Sequence, residues 1–177
     1  MWFARGHSFA LPLREKGGRG DERFIEVFNT LCYGVSVLGV YEMDHPEVVF
    51  SDLATRADAL TGQDAMIGGF TITGSPMTVV VRAIGPSLAP YGITDALANP
   101  TLTLVRSSDQ AVIATNDNWQ DPGNNASQIS ASGFAPTNAF ESAILVTLQP
   151  GAYTAIIGGV GGATGVANVE VYPVYPK

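Results

Sequence analysis

SAILVTLQPGAYTAIIGG, residues 142–159, is two runs of small, apolar and β-branched residues separated by Gln149, Pro150 and Gly151. Proline presets the first turn position and glycine accepts the left-handed geometry that follows, so the stretch predicts two strands paired across a tight turn. Beyond its glycine-rich end lies GVANVEVYPVY, residues 165–175, in which Ala167, Val169 and Val171 alternate with Asn168 and Glu170. A period of two predicts a last strand with one face buried and the other wet.

The same pattern recurs upstream. AMIGGFTITG (65–74) alternates and is followed by the turn Gly74-Ser75-Pro76 and a second run, MTVVVRAIG (77–85). PTLTLVRSSDQAVIATND (100–117) predicts two strands around a turn at Ser107 to Gln110, with Leu102 and Leu104 on one face and Thr101 and Thr103 on the other. About eight or nine short strands at hairpin-like intervals predict an all-β, antiparallel, jelly-roll-like β-sandwich. Two longer loops interrupt them. Residues 85–100 carry one helical turn capped by Thr94 or Asp95, and residues 116–141 are rich in Asn, Asp, Ser and Gly.

Composition agrees with a β-rich domain. Of 177 residues 46% are hydrophobic and only 14% charged, and 20 glycines with 11 prolines break the chain into short segments. The length suits one domain with an appendage. The net charge is −7, and after Arg23 four basic residues face thirteen acidic ones, which disfavours nucleic acid and anionic membranes as partners. Cys32 is the sole cysteine, so no internal disulfide forms, and His7 and His45 are the only histidines that a catalytic thiol could use. No apolar run reaches membrane-spanning length, and FALPL (9–13) is too short for the core of a cleavable signal.

Residues 1–33 read as an N-terminal extension, flexible or partly helical, with Phe24, Val27, Phe28 and Leu31 at helical spacing. The β-sandwich domain is expected over residues 34–177.

DAMIGGFTITG, VVVRAIGPSL, ITDALANPTLTL, ATNDNWQD and the run from Glu141 to Tyr172 together resemble a domain of large secreted or surface proteins of environmental bacteria, often found in tandem. The resemblance spans roughly 51–172 and implies no assigned activity. TLTLVRSSDQAVIATNDNWQD with PGAYTAII also resembles the pre-peptidase C-terminal domain, which implies a β-sandwich accessory module without catalysis. In tandem members a unit ends in a GV…VEVY strand before the next begins, and GVSVLGVYEMD (34–44) has that look, Gly34, Val35, Val40 and Tyr41 matching Gly165, Val166, Val171 and Tyr172. Three explanations stand open: a remnant of an upstream repeat whose true start is missing, an ordinary strand of this domain, or a strand donated to a neighbouring sheet edge in head-to-tail assembly. The assembly strands would be Val35, Val37, Val40 and Tyr41 at one end and Val166, Val169, Val171 and Tyr172 at the other.

Asn116, Asp117, Asn118 and Asp121, with Glu141, offer oxygen ligands of the kind calcium takes; turn chemistry explains the same residues. Trp119 is either a sugar-stacking platform or a plug at the end of the sandwich. IGGVGGATG lacks the lysine of a phosphate loop and opens into a strand, and no glycine-flanked nucleophilic serine is present. Arg82, inside an apolar strand, reads as a structural ion pair or backbone anchor.

The expected protein is therefore a non-enzymatic structural or adhesion module, extracellular or at the cell surface. It works by self-association or contact with neighbouring repeats, without nucleic acid or membrane insertion and with no cofactor unless calcium. A carbohydrate-binding or calcium-stabilised accessory domain of a secreted hydrolase is the alternative.

Overall fold

The computed structural model describes residues 53–175. Eight strands run β1 (Leu53–Ala59), β2 (Met66–Ile72), β3 (Met77–Ile84), β4 (Pro100–Arg106), β5 (Ala111–Asn116), β6 (Ser142–Leu148), β7 (Gly151–Gly159) and β8 (Gly165–Pro173). One helix, α1 (Ala126–Ser132), lies between β5 and β6, and 3-10 turns occupy Gly62–Asp64, Pro86–Tyr91 and Val160–Gly162. The strands form two four-stranded sheets, β1-β8-β3-β6 and β2-β7-β4-β5, with every strand pairing antiparallel. The domain is an all-β, antiparallel β-sandwich.

Alternation selects what each strand buries. Val79, Val81 and Ala83 of β3 and Ala167, Val169 and Val171 of β8 meet Leu102 and Leu104 of β4 and Tyr153, Ala155 and Ile157 of β7 in one core. Each valine, leucine or isoleucine among them contributes about 1.5–3 kcal/mol by leaving water. Thr101 and Thr103 take the outer face of β4, as the sequence pattern requires.

Pairing differs from the sequence expectation at two turns. Only Ser107 to Gln110 closes a hairpin between consecutive strands, and Gln110 accepts the left-handed conformation there at φ 57°. The turns at Gly74 to Pro76 and Gln149 to Gly151 instead carry the chain from one sheet to the other, so β2 does not pair with β3, nor β6 with β7. An alternating strand shows which face it buries but not which sheet receives it, because both sheets bury the same kind of face.

Three further differences follow. Residues 53–59, to which the sequence pattern assigns no strand, form β1, whose seven register pairs with β8 run from Leu53↔Val171 to Ala59↔Gly165. The helical turn of the 85–100 loop is Pro86–Tyr91, ended by Gly92 in the left-handed region, with Thr94 and Asp95 lying after it. The Asn-rich loop contains α1, closed by Gly133 at φ 86°. The expected strand Gly34 to Glu42, with Val35, Val37, Val40 and Tyr41, the helical run Phe24 to Leu31 and the boundary at residue 34 lie outside the described residues.

The segment from Asp95 to Asn99 seals one end of the sandwich. Leu97 is fully buried, its N–H donates to the Val166 carbonyl at 2.8 Å, and the Val166 N–H donates to the Asp95 carbonyl at 2.9 Å. Gly85 lies so close that an added Cβ would sit 2.0 Å from the Leu97 carbonyl oxygen, which explains a glycine there.

Candidate functional site

Chemistry-bearing side chains gather in two places: beneath and beside the loop of residues 117–141, and on the outer side of β3 and β8.

Glu141 is fully buried. Its Oε1 accepts hydrogen bonds from the N–H groups of Gly85 (3.1 Å) and Ser87 (2.8 Å), and its Oε2 from the Ser87 hydroxyl (2.9 Å) and the Asn138 N–H (3.4 Å). Four donors satisfy the carboxylate without a cation, so it fastens the Pro86–Tyr91 turn to the strand entering β6. Its backbone carbonyl accepts from the Trp119 N–H at 2.9 Å.

The asparagines around it act as substitute backbone. Ala143 on the free edge of β6 donates its N–H to Asn116 Oδ1 at 2.9 Å, while its carbonyl accepts from Asn124 Nδ2 at 3.0 Å. Asn124 Nδ2 also donates to the Trp119 carbonyl at 2.7 Å. The fully buried Ser142 hydroxyl lies 2.5 and 2.6 Å from the carbonyls of Pro100 and Asp117. Amide side chains thus occupy edge groups that another strand would otherwise bind.

Trp119 is only 8% exposed, packs with Ile129 of α1 and Ala143 of β6, and donates its indole N–H to the Asn138 carbonyl at 3.1 Å. Of the two roles open for Trp119, the covered ring fits the plug at the end of the sandwich. The calcium set is likewise divided. Glu141 is committed to its four donors, and Asn116 to Ala143 and the Asn118 carbonyl. Among the described residues no group of three His, Cys, Asp or Glu side chains lies close enough to hold a metal. Asp117 and Asp121 do come together, lining a polar cleft of about 410 Å³ with Thr101, Thr103, Thr115 and Pro122. The Asp117 carboxylate accepts from the Asn99 amide at 3.1 Å, and Asp121 Oδ2 from the Asn118 N–H at 3.4 Å. Asn118 Oδ1 is buried without a partner among the described residues.

On the outer side of β3 and β8, Arg82 Nε donates to the buried Glu170, Nη1 to the Phe134 carbonyl at 2.9 Å and Nη2 to the Tyr172 hydroxyl at 3.2 Å. The guanidinium also lies 4.8 Å from the Tyr172 ring centre, and Phe134 stacks on that ring at 4.4 Å. Burial, with Glu170 nearby, raises the Tyr172 pKa above the usual phenol value. The face of β8 expected to be wet is therefore covered at Glu170. On the surface, the Arg106 guanidinium and the Ala111 N–H lower Asp109 to about 2.

Val169 and Val171 point into the core, whereas Val166 and Tyr172 lie on the other face, as their even positions require. β8 is hydrogen-bonded on both sides, by β1 and β3, so its edges are already filled. The strands with an outer edge are β1, β6, β2 and β5.

No protein-family model and no curated protein matches the chain. Among solved structures, the chain is similar to the pre-peptidase C-terminal domain of a collagenase from Bacillus anthracis, at 15% identity and a TM-score of 0.42, over 68% of this chain and 88% of that one. That domain is of the second of the two kinds the sequence resembles.

Proposed function

We propose that this β-sandwich is a non-enzymatic structural and adhesion module of an extracellular or cell-surface protein, and that it joins neighbouring copies by exchanging β1. The observation that carries the reading is how β1 is held. It sits at a sheet edge and pairs with β8 over seven residues, yet Ala54, Arg56, Ala57 and Asp58 are exposed and, among residues 54–59, Ala59 alone is buried. A strand bound mainly by its backbone ladder exchanges at small cost in side-chain packing, since another copy supplies an identical ladder. The opposite edge of that sheet is occupied at Ala143 by asparagine side chains, which directs pairing towards the β1 side. No described helix is long and apolar enough to cross a membrane.

A cross-link tests this. Ala57 and Ala167 are register partners, so cysteines at both positions, in a Cys32→Ser background, report which copy supplies β1. Disulfide-linked oligomers on a denaturing gel, growing with protein concentration and matched by light scattering, support exchange. A purely intramolecular link at every concentration refutes it.

A further inference from the structure

A sheet edge presents a row of backbone N–H and C=O groups, and folded proteins guard it against pairing with charge, proline, a bulge or a covering group. Among the described strands, three of the four that form sheet edges carry such a guard. In β6, Ala143 is bonded by Asn116 and Asn124; β5 has a break in its register with β4 between Leu104 and Val105; β1 exposes Arg56 and Asp58. β2, MIGGFTI, carries no charge and no proline, and its seven register pairs with β7 run unbroken from Met66↔Ile157 to Ile72↔Gly151. Ile67 on its outer face is 56% exposed, and Phe70 on its inner face is only partly buried although it stacks on Tyr153 at 5.8 Å.

We infer that β2 is a dimerisation edge, pairing antiparallel with β2 of a second copy about a two-fold axis through Gly69. The order of residues makes the strand complementary to itself in that register. Met66 faces Ile72 of the second copy, Ile67 faces Thr71, Gly68 faces Phe70, and the two Gly69 residues meet on the axis with no side chains between them. Each Phe70 ring then lies beside the bare backbone of Gly68, the cross-strand arrangement in which an aromatic side chain covers a glycine. Gly68 has no room for a side chain of its own, since an added Cβ would sit 2.8 Å from Val169 Cγ1. Charge selects the direction of pairing. Asp58 near the end of β1 and Asp64 just before β2 lie at one end of this side of the sandwich, whereas the turn after β2, Gly74-Ser75-Pro76, is uncharged. Antiparallel pairing sets the turn of Asp64 beside Gly74-Ser75-Pro76 of the second copy; parallel pairing would set Asp64 against Asp64. Between two copies of a chain of net charge −7, an uncharged edge whose flanking acids are offset in this way avoids like-charge contact. A two-fold contact uses the same patch on both molecules, so it closes as a dimer.

The test uses the full chain in a Cys32→Ser background. Gly69→Cys places one thiol per copy at the axis, and the position accepts a side chain, with nothing within 4 Å of an added Cβ. Oxidation should give a disulfide-linked dimer on a denaturing gel, while Val112→Cys on β5, where the parent residue is 60% exposed, stays unlinked under the same conditions. In sedimentation equilibrium Gly69→Lys and Gly69→Glu should each weaken the dimer about fivefold, because like charges then face each other across the axis, and an equimolar mixture of the two should recover the parental association. Circular dichroism checks that each variant is folded. The inference is overturned if Gly69→Cys fails to link, if Val112→Cys links as readily, or if the two charged variants associate as strongly as the parent. It is overturned as well if their mixture stays as weak as either variant alone, since a bulky side chain that merely disturbs packing would do that. The β2 edge is independent of which copy supplies β1. Dimers linked through position 69 together with a purely intramolecular link between positions 57 and 167 support this edge and refute exchange; intermolecular links between 57 and 167 with none through 69 overturn this edge and leave exchange standing.

Discussion

Replacing Glu141 by glutamine changes almost no volume and converts one acceptor oxygen into an amine. Both Gly85 and Ser87 N–H groups point at Oε1, so the amide nitrogen takes the Oε2 position, where it meets the Asn138 N–H and the Ser87 hydroxyl. The hydroxyl can turn and accept, since its Oγ also lies 2.7 Å from Thr137 Oγ1; the Asn138 N–H cannot. One buried donor is then orphaned at about 1–3 kcal/mol, and the retained bonds lose their charge assistance, about 1 kcal/mol each. Relief from holding an ion away from water offsets part of this. The net expectation is a loss of about 2–4 kcal/mol, which for a domain of this size lowers Tm by about 10 °C. Urea unfolding followed by near-ultraviolet circular dichroism measures it, with an unchanged slope showing that the unfolded state is unaltered. A loss below about 0.5 kcal/mol would mean that the charge on Glu141 contributes nothing to fastening the 85–87 turn. The reasoning from four converging donors would then be refuted.

Other consequences of the packing are as direct. Gly85→Ala should destabilise by several kcal/mol, or prevent folding, because its Cβ would meet the Leu97 carbonyl at 2.0 Å; Gly69→Ala, with nothing within 4 Å, serves as the control in the same thermal scan. Trp119→Ala should cost about 3–5 kcal/mol in urea unfolding, because the ring is buried against Ile129 and Ala143, and a loss below about 1 kcal/mol would refute its role as a plug. The Tyr172 pKa is raised in the folded state, so its contribution is present below the unfolded phenol value near 10 and is lost as pH rises above it. Equilibrium unfolding against pH should therefore fall off less steeply above about pH 10 in Tyr172→Phe than in the parent. Calcium and chelator should leave Tm unchanged, since Glu141 and Asn116 are already committed to protein donors; a rise with calcium would instead assign Asn118 Oδ1 and Asp121 to a cation.

The sequence by itself determined the fold class and most strand positions. Alternation in TLTLV, VVVRA and VANVEVY is a local property of the pleat, and it marks Leu102, Leu104, Val79, Val81, Val169 and Val171 as core wherever their strands end up. It also determined that Arg82 needed internal partners, because an ion inside an apolar strand cannot remain unpaired. β1 stayed hidden because LATRADA is small and mixed in polarity: an edge strand held by backbone hydrogen bonds needs no apolar stripe.

Only the tertiary structure decided which strands meet and what the polar residues do. Pro150-Gly151 is an equally good turn whether it closes a hairpin or crosses between sheets, and the choice depends on strands more than fifty residues away. In the Asn-rich loop local chemistry leaves turn and ligand roles open, yet Asn116 and Asn124 bond the backbone of Ala143, a partner 27 and 19 residues along the chain. The charge-free outer face of β2-β7-β4-β5 is assembled from single residues on four strands that are neighbours only after folding. Short-range pattern fixes which side of a strand is buried; long-range pairing fixes which residues share a surface.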